Sequence, residues 1–89
     1  LHDKKFANLY LQTALEQFQQ TKESEPLLIA LRYVAQAQGG IGKLAEKTHL
    51  NRESLYKTLS SKGNPKLSTL STLLHALGFQ LSIQPYAKI

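Results

Sequence analysis

Residues 44–59 read LAEKTHLNRESLYKTL, and whether this run forms one helix or two decides the fold. Two short helices joined by a tight turn need three things. They need a small residue where the axes approach, a turn residue that tolerates left-handed backbone, and an apolar residue to plug the turn. Ala45, His49 and Leu50 meet these needs. Asn51 favours an N-cap, because its carboxamide oxygen can accept from an N–H of the following turn. Glu53 then falls at the positive end of the new helix dipole. The pattern therefore predicts helices over 42–48 and 52–60. In the second helix Leu55 and Leu59 lie four apart and face the core, which leaves Arg52, Glu53, Ser54, Tyr56 and Lys57 on the sides and the outward face.

Working outward, the flanking segments also read as helices. Ala7, Leu11, Ala14, Leu15 and Phe18 recur at helical spacing, widened by Phe6 and Tyr10, so a first helix is expected from an Asp3 cap to about residue 19. Polar residues 19–25 interrupt it. Pro26 suits the first turn of a second helix capped by Ser24 or Glu25, with Leu27, Leu31, Val34 and Ala35 inward and a stop near Gln38 before Gly39 and Gly40. Residues 61–66, SKGNPK, read as a loop. Ser68 is expected to cap a last helix carrying Leu70, Leu73, Leu74 and Leu77, stopped by Gly78. In the tail Phe79, Leu81 and Ile83 alternate with polar residues up to Pro85, which predicts a half-buried strand. A lone strand has two unpaired edges, so it is expected to pair with its copy across the two-fold axis of a homodimer.

The expectation is thus an all-α fold of about five helices with a short C-terminal β-strand, in one domain over 1–89. Within it, residues 1–25 form an N-terminal helix and linker, 26–78 the core, and 79–89 the strand and tail. Eighty-nine residues suffice for one compact domain. A chain of this size buries only about 60 to 65% of its unfolded surface, which makes a partner useful. No apolar run approaches the roughly 18 residues of a membrane span. The first ten residues, LHDKKFANLY, lack the apolar region of a signal peptide, so the cytoplasm is the expected compartment.

Charge divides the chain. Residues 1–25 carry three lysines against four acidic residues, net −1, while residues 26–89 carry eight basic residues against two glutamates, net +6. A block of this sign is the footprint expected of nucleic-acid binding, although a well-solvated basic surface looks the same. Enzymatic readings fare poorly. Gly40, Gly42 and Ala45 mimic a dinucleotide fingerprint but follow a helix instead of a strand. As a phosphate-binding loop, the same run has Ala37 where the first glycine belongs and Leu44 where a hydroxyl must hold magnesium. Asp3 is the sole aspartate, the chain has no cysteine, and His2, His49 and His75 have no metal-ligand spacing. No catalytic residue, metal or cofactor is expected.

The residues YLQTAL (10–15), the second helix followed by GG, Leu44-Ala45, RESLYKTLS, GNPKLSTL and HALGFQLSI together carry a resemblance that spans nearly the whole chain. It resembles the lambda-repressor-like (Cro-type, XRE) helix-turn-helix class, and more closely the HigA-like addiction-module antidote proteins paired with HigB- or RelE-type toxins. His49 stands where that class usually has glycine. The resemblance also implies that further residues precede Leu1. It implies that the helix starting at Arg52 enters the major groove of an operator and that Arg52, Glu53, Ser54 and Lys57 face base edges. Arginine pairs with guanine, glutamate accepts from cytosine, and serine bonds to several edges. Lys43, Asn51, Tyr56, Lys62, Asn64 and Lys66 then fall to the phosphate backbone, with packing under the 63–65 loop as the other role open to Tyr56. The implied function is an antitoxin that represses its own promoter as a homodimer and neutralises its toxin; residues 1–25, mildly acidic and outside the helix-turn-helix, are the expected toxin-binding region. A stand-alone phage-type repressor, or a helical interaction domain that binds no DNA, would use the same helices.

Overall fold

The computed structural model describes residues 4–60 and 62–85, and five helices order them: α1 (Lys4–Thr21), α2 (Glu25–Ala37), α3 (Ile41–Thr48), α4 (Arg52–Thr58) and α5 (Leu67–Ala76). α1 packs along α2, α2 meets α3, and α3 contacts both α4 and α5. α2 runs through the middle, where Leu28, Ala30, Leu31, Val34 and Ala35 are all but sealed from solvent. Leu55, Leu59 and Leu73 are sealed as well, and among the described residues all seventeen buried hydrophobic side chains join in one cluster. No charged or polar side chain among the described residues is buried in it. No helix among them is long and apolar enough to cross a membrane.

Glycine sets two of the helix ends. At the end of α2, Gly39 adopts φ +115°, the Gly40 amide donates to the Ala35 carbonyl at 2.8 Å and the Gly39 amide to Gln36 at 3.3 Å. This paired arrangement satisfies two carbonyls that the helix would leave orphaned. The end of α5 repeats it through Gly78, with the Phe79 amide donating to Leu74 at 2.8 Å. The Gln38 side chain then donates to the Leu77 carbonyl at 2.9 Å and ties these two ends together.

Several expectations need correction. Ser68 does not cap α5. Lys66 holds the extended N-cap position with no side-chain bond, and its carbonyl takes the first helical hydrogen bond, from the Leu70 amide at 2.9 Å. Leu67, which opens the helix in place of Ser68, is 73% exposed, because it lies a turn ahead of the half-buried Leu70, where the apolar stripe runs off the edge of the core. Leu50 is also exposed, at 36%, and is a poor plug for its turn. α1 runs on to Thr21 and stops at Lys22 in left-handed backbone, while α4 ends at Thr58, two residues early. Ser24 is the N-cap of α2 but does not cap through its side chain, since its backbone is helical (φ −82°, ψ −19°) and its hydroxyl donates instead to the Gly63 carbonyl at 3.4 Å. No strand forms among the described residues. Over 79–85 Phe79 and Leu81 pack against the core and Ile83 is fully exposed, since one chain offers this segment no edge to pair with. Asp3 and its expected cap lie outside the described residues.

Candidate nucleic-acid interface

The turn between α3 and α4 is built from side-chain-to-backbone bonds. Thr48 donates its hydroxyl to the Leu44 carbonyl at 2.8 Å and accepts from the Leu50 amide at 3.3 Å. His49 follows in left-handed backbone (φ 60°, ψ 23°), a conformation costly for most residues with a Cβ, and it redirects the chain. Asn51 returns to extended backbone and its Oδ1 accepts from the Ser54 amide at 3.1 Å, which starts α4. The roles of His49 and Asn51 were readable in THLN, and that of Thr48 was not.

α4 has seven residues and only Leu55 is buried within it, with Leu59 just beyond its end. Arg52, Glu53, Ser54, Tyr56 and Lys57 are all exposed, as expected for the side opposite those leucines. Lys43 is exposed in the first turn of α3, and Lys62, Asn64 and Lys66 are exposed in the segment that leads to α5. Asn51 is exposed as well, with its oxygen committed to the cap and its Nδ2 still able to donate. Across residues 41–66, six basic side chains face solvent against Glu46 and Glu53.

The structure adds one grouping that spacing did not reveal. The Arg52 guanidinium lies over the Tyr56 ring, 5.8 Å from its centroid, one helical turn along. Gly42 of α3 is also near, since a Cβ added there would come within 3.6 Å of the guanidinium carbon. An exposed contact of a cation with a ring contributes about 0.5 to 1 kcal/mol. Tyr56 is 53% exposed. The signal was the i, i+4 spacing of Arg and Tyr on an exposed helix face.

That loop is held by Gly63. Its amide donates to the Ser60 carbonyl at 2.9 Å, and a Cβ at this position would collide with the Thr58 carbonyl oxygen. Glycine is therefore required by close backbone approach. The loop stays beside the end of α4, and Ser24 reaches it from the start of α2. By contrast Phe79, Leu81 and Ile83 lie elsewhere, along a groove shared with Leu15 of α1 and Leu70 of α5.

A family model described as "Probable addiction module antidote protein" matches residues 1–85. An uncharacterized protein of Haemophilus influenzae is 34% identical over 74 residues, which cover 83% of this chain and 75% of that protein. No solved structure matches the chain. A match across the helices, the turn and the basic loop together covers every element of the candidate interface, and the chain belongs to the addiction module antidote family.

Proposed function

We propose that this chain is a DNA-binding antitoxin of the helix-turn-helix type that represses its own promoter as a homodimer in the cytoplasm and neutralises a HigB/RelE-like toxin. Its family supplies the antidote role and with it a cognate toxin partner, which fits a regulator better than an enzyme. The observation that carries the DNA reading is α4: a seven-residue helix held by Leu55 and Leu59 that turns Arg52, Glu53, Ser54 and Lys57 to solvent. In this reading α4 lies in the major groove. Arg52 pairs with guanine, Glu53 accepts from cytosine or orients Arg52, and Ser54 and Lys57 complete the base contacts. Lys43, Lys62 and Lys66 flank the groove and neutralise phosphates, Asn51 and Asn64 donate hydrogen bonds to phosphate oxygens, and Tyr56 holds Arg52 at the groove's edge. Phe79, Leu81 and Ile83 form the dimer strand, so that two α4 helices read half-sites about 34 to 36 Å apart, or a multiple of that.

Selection of bound sites from a random DNA pool tests this reading. It predicts enrichment of an inverted repeat whose two halves are separated by about one helical turn or a multiple of it. A pool that emerges without a motif would remove α4 as a reader of sequence.

A further inference from the structure

The glycines of the run GGIG, residues 39–42, are not interchangeable. Gly39 and Gly40 adopt φ +115° and +93°, which a side chain would strain. Gly42 has no such need. It lies in the first turn of α3 with no positive φ, and helical backbone disfavours glycine. What surrounds it is specific. The three atoms nearest to a Cβ built on Gly42 all belong to the Arg52 guanidinium: Cζ at 3.6 Å, and Nε and Nη1 at 3.8 Å. Lys43, next in the chain, runs its stem across Gly39, where a Cβ would stand 2.7 Å from the lysine Cδ. Two cations of the candidate interface therefore lie over two glycines of one short run.

We infer that the missing side chain at Gly42 sets where the Arg52 guanidinium rests, which makes position 42 a determinant of the base preference that Arg52 confers. The inference rests on the DNA reading above and adds a positioning residue that itself touches no base. Glycine acts here by leaving room. Arg52 is long and exposed, so its guanidinium is placed only by what surrounds it. Tyr56 offers a ring on the same helix, and Gly42 leaves space for the guanidinium on the facing helix. A methyl group at position 42 fits, because 3.6 Å is an ordinary distance between touching carbons. A branched side chain does not. Its outer atoms stand one bond further out, and β-branching leaves it one strongly preferred rotamer in a helix with which to avoid the arginine. The guanidinium must then move. Arginine reads guanine through a rigid two-pronged fork, so a shifted fork loses the base. Lys43 gives the contrast, since an ammonium meets a phosphate as a point charge and tolerates displacement. Gly39 is needed for its backbone as well, so Gly42 is the position that isolates the effect.

The test uses the full chain and the DNA sites that it selects from a random pool. Gly42→Ala and Gly42→Val each replace glycine with a better helix former, and circular-dichroism melting checks that both fold. Gly42→Leu makes a similar enlargement without β-branching and stands in if the valine variant melts low. Gly42→Ala is expected to keep the affinity and base preference of the wild type. Gly42→Val is expected to bind the selected site about tenfold more weakly, to lose preference at the same base pair as Arg52→Ala, and to keep its affinity for random DNA. In an Arg52→Ala background Gly42→Val is expected to change nothing further, because position 42 acts through Arg52. A valine variant with unaltered preference, or one whose loss persists undiminished in the Arg52→Ala background, would overturn the inference and leave the DNA reading standing. Equal weakening on random DNA would overturn it too, since the new side chain would then be obstructing the DNA backbone. A wild-type chain that selects no motif would sink the DNA reading and this inference with it.

Discussion

Asn51 is exposed, yet the start of α4 depends on it, since its Oδ1 is the side-chain acceptor at this N-terminus. Asn51→Ala is expected to lower the unfolding free energy by about 1 kcal/mol in urea denaturation, as loss of such a cap does elsewhere. Arg52 is a different kind of residue, because it rests against the Tyr56 ring and stays exposed. Arg52→Ala should leave stability nearly unchanged but cost about 1 to 3 kcal/mol at the selected DNA site and relax preference at one base pair. Equal losses on selected and random DNA would mean that Arg52 does not read a base. Tyr56 tests the same point from the other partner. Tyr56→Phe keeps the ring and should bind DNA nearly as the wild type does, whereas Tyr56→Ala should weaken specific binding by up to about 1 kcal/mol. Gly63 permits no such latitude, since any Cβ there meets the Thr58 carbonyl.

At the scale of elements, a seven-residue helix does not persist alone in water, so α4 exists because Leu55 and Leu59 dock it on the core. Leu55→Ala is expected to cost about 2 to 5 kcal/mol of stability, seen as a lower urea midpoint with an unchanged slope. The segment from Lys62 to Lys66 acts by charge instead. Lys62→Ala should weaken binding to all DNA sequences alike and reduce the magnitude of the slope of log K against log salt by about one. The glycine stops of α2 and α5 were legible because only residues free of Cβ strain adopt φ near +100°. The start of α5 was not. Ser68 is a better cap residue than Lys66, but Lys66 holds the extended backbone and its carbonyl takes the Leu70 amide, so the helix has begun before Ser68 is reached.

For the whole molecule, the proposed dimer rests on the tail. Ile83 is fully exposed beside a groove between α1 and α5, with Phe79 and Leu81 already packed on the core. If strands pair across a dimer, Ile83→Pro removes a ladder donor and should convert the species seen by light scattering from dimer to monomer. An unchanged dimeric mass would exclude that strand as the basis of association. The five helices, the left-handed His49, the Asn51 cap and the outward polar set of α4 were all determined by sequence, because each depends on residues within a turn or two of one another. The Arg52, Tyr56 and Gly42 grouping, the collision that demands Gly63 and the emergence of Leu67 at the edge of the core were decided only by tertiary structure. So was the aromatic line from Phe6 through Tyr10 to Tyr33, which joins two helices. Each of these depends on how far apart separate elements come to rest, and periodicity along one chain has no information about that distance.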